Sequence, residues 1–400
     1  MTQDLIAKRL SKIKPSATFA LMAQAQEMKA AGKDVISLAT GEPDFDTPDF
    51  VKQGAHAAID RGETKYTPVQ GTLALRKEIC EKFKRENNLT YAPDQIIVST
   101  GGKQVLYNAF MATLNPGDEV IIPAPYWISY PEMVTLAEGT PVIVKADRGL
   151  KISPQALEKA ITPKTKWFVI NSPSNPTGAV YSRDELCALG EILLKHPHIH
   201  VMTDDIYEHL IYSDTLFATM AQVVPKLYSR TLTVNGVSKA YAMTGWRLGY
   251  AGGPKDIIAA MTKVQGQSTS NASSISQAAA LTALGGDQGY LKEWHAVYRR
   301  RRDMAVASLN ASPGLSCEVP EGAFYVFVCC AGVIGKKTVD GKVMVTDADF
   351  CAYLLHDHGV AVVPGVEFGQ SPCFRISSAL SDDQLIEACK HIKDACSKLV

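Results

Sequence analysis

The sequence carries no excess of either charge, no long apolar run and no paired-cysteine motif, and each absence removes a class of function. Lys plus Arg and Asp plus Glu both number 41, so no global field draws the chain toward nucleic acid or an anionic membrane. No segment reaches the roughly 18 consecutive apolar residues of a membrane span, and residues 1–14 carry scattered charges instead of a leader's apolar stretch. The expectation is a cytoplasmic protein with no nucleic-acid or membrane partner. Nine cysteines form an odd set without a Cys-x-x-Cys pair, and in a reducing compartment they act as small hydrophobes. A G-x-G-x-x-G fingerprint is also missing, which lowers a nicotinamide reading. The run Gly332-Val-Ile-Gly-Lys-Lys-Thr338 resembles a phosphate loop but fails both its glycine spacing and its need for Ser or Thr directly after Gly-Lys. His196, His198 and His200 alternate before a strand, yet Pro197 interrupts the extended run that would align them, so no metal is expected.

With 400 residues, 46% of them hydrophobic, the chain buries a large core and spans two or three domains by length. No repeat or Gly/Ser linker marks the borders, so they come from pattern. Segments 96–100, 119–123, 141–144, 166–170, 200–203 and 231–234 are short β-branched runs, and 102–114, 153–160 and 182–196 between them carry helical periodicity. That alternation predicts an α/β domain with a mostly parallel central sheet covered on both faces. Beyond Gly286 the pattern changes to a long charged helix through residues 298–302, short strands and a terminal helix near 382–399, which reads as a smaller α+β domain. The expected division is 1–45 as an N-terminal arm packing with the small domain, 46–288 as the large domain and 289–400 as the small one.

Open α/β sheets bind ligands beyond the carboxyl ends of their strands, so polar residues just past each predicted strand carry the functional reading. Gly101-Gly-Lys-Gln104 opens a helix whose free N–H groups suit a phosphate, although Gly-Gly alone is ordinary turn chemistry. Asn171-Ser-Pro-Ser-Asn-Pro-Thr-Gly178 is by itself a tight loop. Asp204 and Tyr207 follow the next strand, where a carboxylate among apolar residues needs a positive partner. Gly236-Val-Ser-Lys-Ala-Tyr-Ala-Met-Thr-Gly-Trp-Arg-Leu-Gly-Tyr250 then places Lys239 eight positions before Arg247. A Schiff-base lysine needs a neutral amine, and a phosphate favours a permanent, fork-shaped cation. Together these parts suit pyridoxal 5'-phosphate, which needs a lysine for its aldehyde, an anion for its ring nitrogen, donors for its phenolate oxygen and a phosphate cup. Lys239, Asp204, Asn175 with Tyr207, and Gly101-Gly102 with Arg247 supply them in turn, and Trp127 is positioned to stack on the ring.

Asn175-Pro-Thr-Gly178, Asp204-x-x-Tyr207, Ser238-Lys239 and Arg247 resemble the signature of class I aminotransferases of pyridoxal-phosphate fold type I. The resemblance runs from Pro15-Ser-Ala-Thr18 to Phe374-Arg-Ile-Ser377, and Gly101-Gly-Lys-Gln104 with Ala242-Met-Thr-Gly-Trp-Arg247 is similar to the bacterial subgroup Ib aspartate aminotransferase branch. It implies that Lys239 forms the Schiff base and then shuttles the substrate α-proton. It also implies that Arg375 binds the α-carboxylate with help from Asn175 and the Gly41 backbone, and that Tyr66 reaches the phosphate in a neighbouring subunit of a homodimer. Lys103 would meet a distal carboxylate, assisted by Ser16 and Thr18, with Lys12 contributing from the N-terminal segment. The implied reaction moves the amino group of aspartate to 2-oxoglutarate, giving oxaloacetate and glutamate by a ping-pong cycle, and some members of this branch also aminate prephenate to arogenate. The alternatives are another fold-type-I enzyme, such as a carbon–sulfur lyase or an aromatic aminotransferase, and a pyridoxal-phosphate-sensing regulator. The regulator would need a basic DNA-binding stretch, for which the pattern leaves no room.

Overall fold

Short runs of Ile, Val and Thr pair where the alternation predicted strands, and the residues in the turns after them build the site. The computed structural model describes residues 5–146 and 148–400; residues 1–4 of the expected N-terminal arm, and Asp147, lie outside the described residues. In chain order the strands are β1 (Ile36–Ser37), β2 (Ile96–Ser99), β3 (Glu119–Ala124), β4 (Thr140–Lys145), β5 (Thr165–Asn171), β6 (His200–Asp204), β7 (Thr231–Gly236), β8 (Gly249–Gly252), β9 (Tyr325–Cys329), β10 (Val360–Ala361), β11 (Val363–Pro364) and β12 (Cys373–Ser377).

Seven of them form the central sheet in the order β2-β8-β7-β6-β5-β3-β4. All its pairings are parallel except those of β8, which runs antiparallel to β2 and to β7. The α/β expectation with a mostly parallel sheet is therefore met. Strand β8 is the exception to the sequence pattern, because Gly-Tyr-Ala-Gly lacks the β-branched residues that mark strands. Helices Gly102–Thr113, Lys255–Gly266 and Ser129–Leu136 cover one face through Val105, Leu106, Phe110, Met133, Ile258 and Met261. Helix Arg183–Leu194 covers the other through Leu186, Leu189 and Leu193, which pack on Phe168, Ile170 and Val201. Ser182 and Glu185 close a capping box at its start, fixing where the β5 loop ends.

The smaller unit holds the antiparallel order β11-β12-β9 and the helices Tyr290–Asn310, Asp347–His358 and Asp382–Ser397. Its core joins Val326, Val328, Phe350, Leu354, Ile376 and Ile392 with Ile36 and Leu38 from the N-terminal stretch. There β1 pairs in parallel with β10, and helix Ala17–Ala30 buries Ala25 against Val35, Leu355 and Ala361. In this N-terminal stretch the strand is short, with only Ile36–Ser37 paired as one.

Candidate active site

Parallel register brings the carboxyl ends of β5 and β6 level, with Asn171 opposite Asp204. Asn171 Nδ2 donates to the Asp204 carbonyl at 2.7 Å, and its Oδ1 accepts from the Asn175 N–H at 2.8 Å. One side chain thus ties the Asn175 loop to the end of β6. The Asp204 carboxyl is buried and accepts the Tyr130 hydroxyl proton on Oδ2 at 2.6 Å. Burial lifts its pKa to about 6, against the opposing pull of the Tyr130 hydrogen bond and the Lys239 charge.

Lys239 lies just past β7 and donates from Nζ to the Gly41 carbonyl at 2.6 Å. Its pKa is lowered to about 8, first by desolvation, then by the nearby Arg375 and Arg247, with Glu42 opposing. About a tenth of the amine is then neutral at pH 7. The rings of Tyr207 and Phe324 each stand 5.9 Å from Nζ, and the Tyr207 and Tyr325 hydroxyls share a hydrogen bond at 2.7 Å.

Arg375 on β12 reaches the same cavity from the smaller unit. Nη1 donates to Asn175 Oδ1 at 2.9 Å and Nη2 to the Ala39 carbonyl at 2.6 Å, while the rings of Tyr325 and Phe368 flank the guanidinium at 4.6 and 5.0 Å. Among the described residues the buried Nε has no partner and no carboxylate pairs with this arginine. A buried cation without a counter-ion is costly, so the arrangement is complementary to an anion entering the cavity.

That cavity measures about 500 Å³ and is lined by Ser16, Thr18, Gly41, Gly102, Lys103, Trp127, Asn175, Asp204, Tyr207, Ser238, Lys239, Arg247 and Arg375, among others. Gly101 sits at φ 87° in the turn from β2, where a β-carbon would stand 2.5 Å from an Arg247 guanidinium nitrogen. Only glycine meets both conditions, and the N-terminus of helix Gly102–Thr113 opens beside that cation. Arg247 Nη1 donates to the Thr244 carbonyl at 2.8 Å. The Lys103 ammonium is 5.0 Å from the Trp127 ring and 5.8 Å from Phe19, and its pKa is lowered by desolvation and then by Arg247.

Two expected residues stand apart in this chain. Lys12 is exposed on the short helix Lys8–Lys12 and is not among the cavity's lining residues. Tyr66, on the loop before helix Leu73–Asn87, is 92% exposed and also outside the lining. Conversely, Tyr130, Tyr325 and Asn171 line the cavity without having been singled out. Their types gave no warning, since a tyrosine in an apolar run reads as core and an asparagine before Ser-Pro reads as a turn.

A family model described as aminotransferase class I and II matches residues 33–392. The chain is 59% identical over 98% of its length to a probable aspartate/prephenate aminotransferase of Rhizobium leguminosarum bv. phaseoli, itself 98% covered. It is 57% identical to an aspartate/prephenate aminotransferase of Cereibacter sphaeroides, with 98% of this chain and 99% of the relative aligned. Among solved structures, the aspartate aminotransferase of Rhizobium meliloti superposes with a TM-score of 0.96 at 57% identity, covering 99% of both chains. The Thermus thermophilus aspartate aminotransferase with maleate gives 0.91 at 42% identity, over 98% of this chain and 99% of that one. With the lysine, the acid and the uncompensated arginine meeting in one cavity, and with this match along nearly its whole length, the chain belongs to the class I and II aminotransferases.

Proposed function

We propose that the protein is a pyridoxal-phosphate-dependent aspartate aminotransferase, transferring the amino group of L-aspartate to 2-oxoglutarate by a ping-pong cycle. One observation carries the reading: a partly buried lysine and a buried arginine that has no counter-ion among the described residues face one cavity, as an amino acid with its carboxylate requires. The relatives' names supply the amino acid.

The residues fit the coenzyme. Asp204 offers an anion for the ring nitrogen, Tyr207 and Asn175 offer donors to the phenolate oxygen, and Trp127 offers an aromatic wall. The cradle at Gly101 and Gly102, with Ser238 and Arg247, suits the phosphate. When bound, pyridoxal phosphate supplies an aldehyde that takes up amines and a ring that accepts electrons from the substrate α-carbon. Lys239 Nζ holds that aldehyde and later moves a proton between the substrate Cα and C4′ of the coenzyme. Arg375 grips the α-carboxylate, held in line by Asn175 and the Ala39 carbonyl, with the Gly41 backbone assisting. Lys103, between Phe19 and Trp127, meets the distal carboxylate, and Ser16 and Thr18 face it from the N-terminal helix.

In this reading residues 46–288 carry the coenzyme, while residues 1–45 and 289–400 bring Arg375, Ser16 and Thr18 over it. The working unit is a cytoplasmic homodimer, with Tyr66 serving the neighbouring site and Lys12 approaching when the N-terminal segment closes.

The test is a substrate panel on coenzyme-loaded protein: aspartate, phenylalanine and alanine with 2-oxoglutarate, and prephenate with glutamate. Aspartate should be the preferred donor, with oxaloacetate accumulating beyond about one equivalent per site only when the oxo acid is present. Pyruvate and ammonia released without an oxo acid would instead identify a carbon–sulfur lyase. Prephenate belongs in the panel because relatives of the chain are named for it. Lys239→Ala should lose turnover together with the visible Schiff-base band, leaving only the absorbance of the free aldehyde; a Schiff-base band retained in amine-free buffer would end the assignment of Lys239.

A further inference from the structure

Helix Ser129–Leu136 begins directly past the Trp127 wall, and its second residue, Tyr130, is only 2% exposed. Its ring packs in the apolar cluster of Val105, Leu106, Met133 and Val169 and meets the Trp127 ring edge-on at 5.3 Å. Phenylalanine would satisfy that packing. What phenylalanine lacks is the hydroxyl, and the hydroxyl makes one hydrogen bond, to Asp204 Oδ2 at 2.6 Å. A tyrosine buried this deeply keeps its phenol only at a desolvation cost unless the phenol has a partner. Among the described residues its sole partner is the acid on which the coenzyme reading depends.

We infer that Tyr130 is a positioning residue for Asp204: its donated hydrogen bond fixes one carboxylate oxygen, leaves the other for the coenzyme's ring nitrogen and keeps the acid ionised there. The inference rests on the reading of Asp204 as the ring-nitrogen partner.

The physical sign follows from the environment. Burial favours the neutral acid at Asp204, and the Tyr130 hydrogen bond acts in the opposite direction. Burial and the neighbouring carboxylate hold the Tyr130 phenol far above its ordinary pKa, so it stays a donor throughout the working range. Without the phenol, Asp204 becomes the stronger base by about one to two pKa units, the worth of a hydrogen bond to a charged group. The proton shared with the ring nitrogen then shifts toward the carboxylate. A less protonated ring withdraws fewer electrons, so turnover falls while substrate binding at Arg375 and Lys103 is spared.

The experiment loads wild-type protein, Tyr130→Phe and Asp204→Asn with pyridoxal phosphate carrying nitrogen-15 in its ring, and records the ring-nitrogen chemical shift against pH. The wild type should hold the pyridinium shift through neutral pH. Tyr130→Phe should move toward the neutral-pyridine value, in the direction of Asp204→Asn, with kcat reduced about tenfold or more and KM for aspartate nearly unchanged. A more acidic phenol, 3-fluorotyrosine placed at position 130 alone, should keep the pyridinium state and restore kcat even if the phenylalanine variant folds poorly. An unchanged nitrogen shift in folded Tyr130→Phe, or a loss appearing in KM alone, would overturn the inference. Failure of the underlying reading looks different: the wild type itself would show no pyridinium, or Asp204→Asn would leave it intact.

Discussion

In the proposed role of Lys239 two opposing demands meet, since an amine must be neutral to attack an aldehyde yet basic enough to carry a proton afterwards. Desolvation brings its pKa to about 8. The rate at which coenzyme-free protein takes up pyridoxal phosphate should therefore climb roughly tenfold between about pH 7 and 9 as the neutral fraction grows, then level off. Stopped-flow growth of the visible absorbance measures this, and a climb that continues past pH 10 would mean the amine is unperturbed. At Lys103 the question is specificity. If Lys103 takes the proposed role, Lys103→Ala removes a charge-assisted contact of about 1.5–3 kcal/mol to a distal carboxylate, so kcat/KM for aspartate should drop roughly ten- to hundredfold while alanine and phenylalanine change little. Equal losses for all donors would remove Lys103 from that role. That both lysines reach one cavity was legible in the sequence because each sits at a fixed offset in a motif. Tyr130 and Tyr325 were not, because their meaning comes from partners far along the chain, Asp204 and Tyr207.

Among the elements, β7 and the turn after β6 must be held in register, because one leads to Lys239 and the other carries Tyr207. A buried ion pair spans the gap. Lys82, on helix Leu73–Asn87, is fully buried and pairs with Glu208, whose Oε1 also accepts from Asn235 Nδ2 on β7 at 2.7 Å and whose Oε2 accepts from Asn87 Nδ2 at 2.7 Å. Glu86, Glu208 and His209 crowd closely enough to suggest a cation site, but the Lys82 ammonium, 3.4 Å from Glu86, already supplies the positive charge. Burial raises the pKa of Glu208, and Lys82 with His209 outweighs it, so the net direction is downward. The pair's stabilisation is thus present above the ordinary glutamate range and is lost as pH falls through the depressed value. Lys82→Met leaves a buried carboxylate unpaired and should cost about 3–5 kcal/mol, with partial recovery when Glu208→Met is added. A urea midpoint unmoved by Lys82→Met would show that water reaches the pair. None of this was visible in sequence, where Lys82 sits within the charged run Glu81-Lys-Phe-Lys-Arg-Glu86 and reads as solvated. Strand β8 was hidden for a different reason. Gly249 must be glycine because its α-carbon passes against the backbone of Gly101 and Gly102, and that close approach removes the side chain that would have signalled a strand.

For the whole molecule, alternation of β-branched and helical segments made the large sheet readable, because parallel strands buried on both faces are continuous apolar runs. How the N-terminal stretch folds back was not readable. It depends on β1 finding β10 more than three hundred residues later, and two-residue strands leave no periodicity. Assembly is the remaining scale, and Tyr66 is the residue that tests it. It is 92% exposed and away from its own chain's cavity, an unusual place for a residue meant to touch a phosphate unless a second subunit brings it there. Tyr66→Phe should weaken coenzyme binding roughly ten- to hundredfold through loss of one charge-assisted hydrogen bond. At limiting coenzyme, Tyr66→Phe and Lys239→Ala proteins should each be nearly inactive alone. If they are mixed, denatured and refolded together, each hybrid dimer carries one site with both an intact Lys239 and an intact Tyr66 from the other chain. Equal mixing should then restore about a quarter of wild-type activity, since half the dimers are hybrids with one good site of two. If Tyr66 instead served its own chain's site, every hybrid site would lack one residue or the other, and mixing would restore nothing.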